Sequence, residues 1–295
     1  MAERPDACAT FAHALGEPLA GTAPLATGWL CVEDCGPWGR DALLDGTLPD
    51  DVTAAVQAGL GPDVRFQAIR RSPRPSGTDR TVVLAHGGDR PWMRSLRLSD
   101  DAIADLDPSI TLDPTPPTFG DEVTDPAILV CTHGKRDACC AERGRPVATA
   151  LLAAAGDVTW ETSHTGGHRF APSLIVLPTG AVHGHVTLAD AARIVAAARV
   201  GQIHLPTFRG RAATSRAAQA AEVEVRRIHD LRGATDVRVA GEDDVDGTTT
   251  RVRLAVGVDD VTVLVDRLAR DARHVSCGAE PTSPTGWEVR AVGPG

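Results

Sequence analysis

The order of short apolar runs and helical segments between residues 127 and 200 constrains the fold of this chain most strongly. An apolar run at 127–130 predicts a buried strand. The alanine- and leucine-rich segment 142–155 predicts a helix, with Pro146 in its first turn and Gly156 after its end. The region also contains three further predicted strands, at 158–162, 173–177 and 181–186, and a second helix at 187–200.

This order, strand–helix–strand followed by strand–strand–helix, is that of the thioredoxin core. A strand–helix–strand unit forms a parallel pair with a right-handed crossover, so the carboxyl ends of its two strands lie at one edge of the sheet. Ligands bind beyond such ends. Cys131 ends the first strand and His164 follows the second by two residues. We therefore expect these two side chains to meet at this edge.

Two cysteines and two histidines near this edge form a candidate metal site. Cys131 and Cys140 lie in CTHGKRDACC, and His164 and His168 lie in SHTGGHRF. Two thiolates and two imidazoles can hold zinc tetrahedrally or complete the outer coordination of a [2Fe–2S] cluster. Cys139 is an alternative ligand to Cys140. The spacing leaves three functions open: an iron–sulfur electron carrier, a zinc-stabilised binding module, and a dithiol oxidoreductase that uses Cys139 or Cys140.

The residues around the four donors suit a cluster and form a predicted cofactor-binding set. Gly166 and Gly167 separate the histidines, so the spacing is not that of a helical zinc motif, and their amides are free to donate to cluster sulfurs. Lys135 and Arg136 lie between the cysteines, and Arg169 follows the second histidine. Cations there would favour the reduced state and attract an acidic partner or substrate.

A proline-rich stretch at 112–126 predicts a linker and a three-part chain. The predicted parts are an N-terminal α/β domain at 1–115, a thioredoxin-like domain at 121–206 and a C-terminal α+β segment at 207–295. The first part repeats the order of the second, which indicates a degenerate thioredoxin-like copy. Its predicted strands are 28–33, 64–70, 81–85 and 93–98, and its predicted helices are 51–59 and 99–106.

The C-terminal segment is predicted to contain one helix and a small sheet. A polar, alanine-rich stretch predicts a helix at 213–231, and strands are predicted at 237–240 and 249–256. The acidic run 241–247 between them is interpreted as a hairpin loop. The segment 261–270 is either strand or helix, because its period does not decide between them.

Composition and charge exclude several classes of protein. The net charge of −9 argues against nucleic-acid binding, and no apolar run approaches the roughly 18 residues of a membrane span. The start, MAERPDACAT, lacks the apolar core of a secretory signal, so we expect a cytoplasmic location. Seven cysteines in such a chain do not indicate a disulfide framework, and clustered ones more often bind metal.

The remaining cysteines and histidines are interpreted without function. Cys31 and Cys35 end the first predicted strand as ordinary thiols, and Cys8 and Cys277 are interpreted as isolated and inert. His183 and His185 alternate with a glycine on a predicted strand and should share one of its faces. His133 is expected to hydrogen-bond its own loop.

Four segments resemble the sucrase/ferredoxin-like family, together spanning Gly16 to Arg227: GEPLAGTAPLATGWLCVEDCGPWGRDAL, CTHGKRDACCAERGRP, SHTGGHRFAPSLIVLPTG and FRGRAATSRAAQAAEVEVRR. The resemblance implies a thioredoxin-like ferredoxin. It also implies a [2Fe–2S] cluster held by Cys131, Cys140, His164 and His168, and it favours Cys140 over Cys139 and iron–sulfur over zinc.

The function expected from this resemblance is electron transfer with redox partner proteins, with no nucleic acid or membrane involved. We expect the two histidines to share one iron and the two cysteines the other. The family name also refers to sucrose cleavage, but glycoside hydrolysis requires two carboxylates facing one bond. Glu33, Asp34 and Glu161 are interpreted as ordinary acids, so sucrose hydrolysis is not supported.

Overall fold

The structure is a computed structural model that describes residues 7–71 and 77–295. These residues form six α-helices and two β-sheets. The helices are α1 (Cys8–Ala14), α2 (Asp50–Gly59), α3 (Asp100–Ala104), α4 (Ala138–Ala155), α5 (Leu188–Arg199) and α6 (Arg216–His229). The strands are β1 (Gly28–Glu33), β2 (Val64–Arg70), β3 (Arg80–His86), β4 (Trp92–Leu98), β5 (Asp121–Glu122), β6 (Ala127–Cys131), β7 (Thr159–Thr162), β8 (Leu174–Leu177), β9 (Ala181–His183), β10 (Phe208–Arg211), β11 (Val237–Asp244), β12 (Thr249–Val256), β13 (Asp259–Ala269) and β14 (Thr285–Pro294).

The larger sheet contains the same four-strand arrangement twice. Its order is β10-β9-β8-β6-β7-β2-β1-β3-β4-β5. In the second half, β6 pairs parallel with β7 and antiparallel with β8, which pairs with β9. In the first half, β1 pairs parallel with β2 and antiparallel with β3, which pairs with β4. The predicted α/β class with a thioredoxin-like core is confirmed, and a second such arrangement precedes it.

The two halves join where β2 pairs antiparallel with β7, a junction we call the seam. Two residue pairs define it, Ile69 with Thr162 and Arg70 with Glu161. The Thr162 hydroxyl donates to Gln67 Oε1 at 2.8 Å, and the Arg70 guanidinium lies 3.0 Å from the Glu161 carboxylate. Side chains and backbone therefore both link the halves at the end of β7, just before the histidine loop.

The large sheet is curved around a shared core. Trp29 of β1 is fully buried, and a Cβ on Gly180, in the β8–β9 turn, would lie 2.8 Å from its ring. β1 and β8 are four strands apart in the sheet, which would be about 19 Å if the sheet were flat. The curvature brings apolar residues of both halves into one cluster, including Met93, Leu129 and Trp160.

Helices cover the other face of each half. Ile128 and Val130 of β6 pack with Val147 and Leu151 of α4 and with Ile194 of α5. In the first half α2 and α3 cover an equivalent core. Strands covered on both faces are apolar at nearly every position, as the continuous run in β6 predicted.

Helix α4 begins at Ala138, four residues earlier than the predicted 142, and this correction matters for the site. Asp137 caps the helix because its carboxylate accepts the backbone N–H of Cys139 at 2.9 Å. Pro146 consequently lies inside the helix and not in its first turn. Cys139 and Cys140 thus occupy the first turn of α4, where the helix fixes their directions.

Other sequence predictions are corrected or completed near the chain's end. His185 has a φ of +51° and β9 ends at His183, so the two histidines do not share a strand face. Strand β11 continues to Asp244, which shortens the predicted hairpin loop. The ambiguous segment 261–270 is strand β13, and β14 was not predicted. Helix α6 packs Ala221 and Val225 against this four-stranded sheet.

None of the helices in the described part of the chain is both long and apolar enough to cross a membrane.

Candidate metal centre

The predicted donors converge at the carboxyl ends of β6 and β7. Cys131 is the last residue of β6, Cys140 lies in the first turn of α4, and His164 follows β7 by two residues. One ligand atom of each lies within 4.8 Å of the other two. The Cys140 Sγ is 3.8 Å from the His164 Nδ1. Three donors from three elements therefore meet at the edge that the strand order predicted.

His168 lies beside these three donors and begins a short 3-10 turn. Its ring centroid is 5.2 Å from that of His164. Its Nδ1 is buried and lies 3.3 Å from Oδ2 of Asp137, yet it makes no directed hydrogen bond with any described residue. Burial lowers the pKa of His168 to about 4 in spite of this carboxylate. The imidazole is therefore neutral, which is the form that binds metal.

The pKa values of the two thiols shift in opposite directions. The Cys140 thiol donates a hydrogen bond to Cys131, which holds the pKa of Cys131 well below its ordinary value although that residue is fully buried. The same hydrogen bond, together with burial, raises the pKa of Cys140. These shifts favour Cys131 as the thiolate of the pair, and thiolates are the metal-binding form of cysteine.

Adjacent cysteines at the start of α4 face different neighbours. Cys140 lies with Cys131 and His164, whereas the Cys139 Sγ lies 3.2 Å from the Cys277 Sγ and 3.7 Å from the Cys8 Sγ. The interpretation of Cys8 and Cys277 as isolated was wrong. They are 269 residues apart and meet only because both ends of the chain pack against α4.

The glycines between the histidines give the loop its conformation. Gly166 and Gly167 have φ values of +93° and +71°, in the left-handed region that side chains rarely adopt. A Cβ on Gly167 would lie 2.3 Å from the Arg209 guanidinium. Arg209 is fully buried and donates to the backbone oxygens of Gly166 and Thr22, and burial lowers its pKa to about 9. Arg209 therefore holds the histidine loop in place.

The predicted cations lie in different settings. Lys135 and Arg136 are exposed next to the site. The Arg169 guanidinium lies 2.9 Å from the Glu17 carboxylate and stacks on Phe170, so it belongs to the support of the loop.

The first half of the chain supplies a wall of the site that the sequence did not reveal. Arg65 and Gln67 on β2 both donate to the backbone oxygen of His164, at 3.1 and 3.4 Å. His133 Nδ1 accepts the His164 backbone N–H at 3.2 Å, and its Nε2 donates to the Gly39 oxygen at 2.6 Å. His133 therefore hydrogen-bonds a neighbouring loop and the first half, and both sides of the His164 backbone are fixed.

A cavity of about 360 Å³ opens beside His164. Its lining includes Arg40 and Arg136, which outnumber the one carboxylate, Asp41, and it has Phe66 and Leu60 on its apolar side. Of the four predicted ligands, His164 lines this cavity.

Comparison with known proteins bears on both halves of the large sheet. A protein-family model described as Sucrase/ferredoxin-like matches residues 19–210. The match includes all four predicted ligands and the strands from β1 to β9, and it ends within β10, before α6 and the four-stranded sheet. No curated protein and no solved structure matches the chain.

Proposed function

Because the chain belongs to the sucrase/ferredoxin-like family, we propose that it is an electron carrier with a [2Fe–2S] cluster held by Cys131, Cys140, His164 and His168. The supporting observation is the meeting of Cys131, Cys140 and His164 at one sheet edge, with the His168 ring next to them. Sulfur and nitrogen donors in a two-and-two ratio are the outer ligands of clusters with raised potentials.

The donor set fits such a cluster. The pKa of Cys131 is held well below its ordinary value, which favours the thiolate, and burial lowers the pKa of His168 to about 4, which favours the neutral imidazole. The buried His168 Nδ1 has no directed hydrogen bond among the described residues, and Asp137 Oδ2 lies 3.3 Å from it. When bound, the cluster would supply one-electron transfer.

The surrounding residues favour arrival of an electron and docking of an acidic protein. Burial lowers the pKa of Arg65, and the negative charge of Cys131 opposes that effect, so the guanidinium and the thiolate interact. A positive charge there stabilises an added electron. Arg40 and Arg136 at the cavity beside His164, with exposed Lys135, form a basic rim that suits a redox partner with an acidic surface.

A zinc-stabilised module is the second candidate, and one distance favours it. The 3.8 Å between Cys140 Sγ and His164 Nδ1 suits two donors on a single tetrahedral ion. A two-iron centre with cysteines on one iron and histidines on the other requires the His164 side chain to turn outward. The dithiol alternative has less support, because Cys139 and Cys140 are both buried and face different neighbours.

The acids near the first half have structural partners. Asp34 accepts from the backbone of Gly36 and Thr47 at 2.9 and 2.8 Å, and Glu33 accepts from the Thr81 backbone at 3.0 Å. Glu161 accepts from Thr132 at 2.7 Å and pairs with Arg70 across the seam. Because these three acids already have structural partners, they do not support a pair of catalytic carboxylates for sucrose cleavage.

Anaerobic purification of the full chain, followed by iron, sulfide and zinc analysis and electron paramagnetic resonance after reduction, tests the proposal. We expect a red-brown protein with equal amounts of iron and acid-labile sulfide and a spin signal on one-electron reduction. A colourless protein with zinc at these donors would replace the proposal by the zinc module. A colourless protein that keeps thiol–disulfide exchange activity after metal chelation would instead favour the dithiol enzyme.

A further inference from the structure

Three cysteines and one aspartate form a second cluster beside the four predicted ligands, with Asp137 Oδ2 3.3 Å from the His168 Nδ1. We call Cys8, Asp137, Cys139 and Cys277 the cysteine–aspartate cluster, and one ligand atom of each lies within 4.8 Å of the others. The three Sγ–Sγ distances are 3.2, 3.6 and 3.7 Å, and the Cys8 Sγ lies 3.7 Å from Asp137 Oδ1. Residues from α1, from the loop between β13 and β14 and from the start of α4 thus surround one point.

These distances are those of donors around a single tetrahedral ion. A zinc–sulfur bond of about 2.3 Å places two sulfurs of one tetrahedron roughly 3.8 Å apart. A disulfide requires a sulfur–sulfur distance of about 2.05 Å, well below the 3.2 Å between Cys139 and Cys277.

The cluster is buried and its polar atoms are oriented by the backbone. Cys8, Cys139 and Asp137 are buried, and Cys277 is half-buried. The Cys139 and Cys277 amides each donate to an oxygen of Asp137 at 2.9 Å, which fixes the carboxylate. The backbone amide of Ala9 lowers the pKa of Cys139, and that of Cys8 lowers the pKa of Cys277 against the effect of burial.

We propose that the cysteine–aspartate cluster binds one Zn²⁺ per chain as a structural site, independent of the iron–sulfur proposal. Three soft thiolates and a carboxylate make a closed four-coordinate set without an open position, which suits structural rather than catalytic zinc. The ion would tie the N-terminal segment and the loop between β13 and β14 to the first turn of α4, next to Cys140.

Metal analysis of the purified full chain gives the first test. We expect about one zinc per chain in addition to any iron. Cys8→Ser and Cys277→Ser should lose the zinc and keep the iron, whereas Cys35→Ser, which alters a half-buried thiol outside both clusters, should keep both. Cys140→Ser should lose the iron and keep the zinc, so that failure of the iron–sulfur proposal leaves this result unchanged.

Cobalt substitution gives a second test that does not depend on stability of the single variants. In the double variant Cys131→Ser/Cys140→Ser, one equivalent of Co²⁺ should produce the strong visible bands of tetrahedral cobalt and a sulfur-to-cobalt band in the near ultraviolet. Adding Cys277→Ser should abolish that band, with circular dichroism confirming the fold.

Three results would overturn the zinc proposal. The first is wild-type protein that takes up neither zinc nor cobalt beyond the amount bound at Cys131 and Cys140. The second is an intact mass two daltons low after alkylation, with a Cys139–Cys277 disulfide found by peptide mapping. The third is zinc that disappears in Cys140→Ser but persists in Cys277→Ser.

Discussion

At the scale of single residues, Asp137 connects several parts of the site. It caps α4 through the amide of Cys139, accepts the Cys277 amide at 2.9 Å and the Ser276 hydroxyl at 3.2 Å, and lies 3.3 Å from the His168 Nδ1. Asp137 was not among the predicted site residues, because a cap is recognised only once the start of the helix is known. Its position decides which way the two adjacent cysteines face.

Serine substitutions at 139 and 140 should separate the two clusters. We expect Cys140→Ser to lose the visible absorption of the iron–sulfur cluster, because it removes a donor beside Cys131 and His164. Cys139→Ser should keep that absorption, since its sulfur lies with Cys8 and Cys277. Visible spectra and iron content of the two variants check this. Absorption lost only in Cys139→Ser would assign the ligand to the other cysteine.

Buried His183 should make the fold sensitive to acid. Burial lowers its pKa to about 3, with His204 and Arg209 lowering it further and Asp190 opposing them. The unfolded chain takes up this proton below a pH of about 6.5, while the folded chain does not, so stability is complete above that pH and falls as the pH decreases towards 3. The loss should reach roughly 2 kcal/mol at pH 5.

Urea unfolding at pH 7.5 and pH 5 measures this effect. His183→Gln should lose about 2 kcal/mol less than the wild type between the two pH values, because glutamine does not titrate. His229→Gln, at an exposed position, is the matched control and should behave like the wild type. Equal losses in all three proteins would show that His183 is not the group responsible.

At the scale of elements, the approach of α4 to β6 depends on one glycine. A Cβ on Gly144 would lie 2.0 Å from the backbone oxygen of Cys131, the residue that ends β6 and holds the thiolate. Helix α4 therefore packs directly over the strand end because this position has no side chain. The contact of Gly144 with Cys131 therefore belongs both to the packing of α4 on β6 and to the candidate metal site.

Gly144→Ala should destabilise the protein although alanine is the better helix former. Replacing glycine inside a helix usually gains about 1 kcal/mol, but the overlap with the Cys131 oxygen forces a shift, so we expect a net loss of roughly 2 kcal/mol. Gly61→Ala, where the added methyl group meets open space, is the control. The urea midpoints of the two variants test this prediction. An unchanged or higher midpoint for Gly144→Ala would contradict the packing argument.

Most elements were predictable from local pattern, and the failures have local causes. Apolar runs identified β1, β6 and β8 because strands buried on both faces are apolar at nearly every position. The start of α4 was missed because Cys139 and Cys140 are weak helix signals and Pro146 resembles a first-turn proline. The β14 strand was missed because its alternation of apolar and charged residues is confined to 287–291, a short run flanked by glycine and followed by proline.

At the scale of the whole molecule, the first half is part of the candidate site. Arg65 and Gln67 hold the His164 oxygen across the seam, and Gly39 holds His133. The order of strands within each half followed from sequence, and the four candidate ligands followed from spacing and family resemblance. The pairing of β2 with β7 did not, because strands about 90 positions apart in the chain pair only through tertiary packing. The contact of Cys8 with Cys277 was hidden for the same reason.

Arg65→Gln should lower the reduction potential of the proposed cluster. The variant removes a positive charge that interacts with Cys131. In an effective dielectric of about 20 a unit charge acts with roughly 4 kcal/mol at about 4 Å and proportionally less farther away, so the potential should fall by tens of millivolts. Arg71→Gln is the charge-matched control, because Arg71 contacts Gly156 and Asp157 at the far end of α4. Potentiometric titration measures the reduction potentials of both variants. Equal falls in the two would contradict the role assigned to the Arg65 charge.

The narrow seam also limits how this protein can be shortened. A fragment of residues 121–206 would leave β7 as an unpaired edge strand, which can pair with strands of other chains and promote aggregation. The same cut would strip the His164 oxygen of Arg65 and Gln67, and His133 of its acceptor on Gly39. A miniature version that preserves the candidate ligand loop must therefore retain β1–β4 and the loop after β1, or replace that support by a designed partner strand.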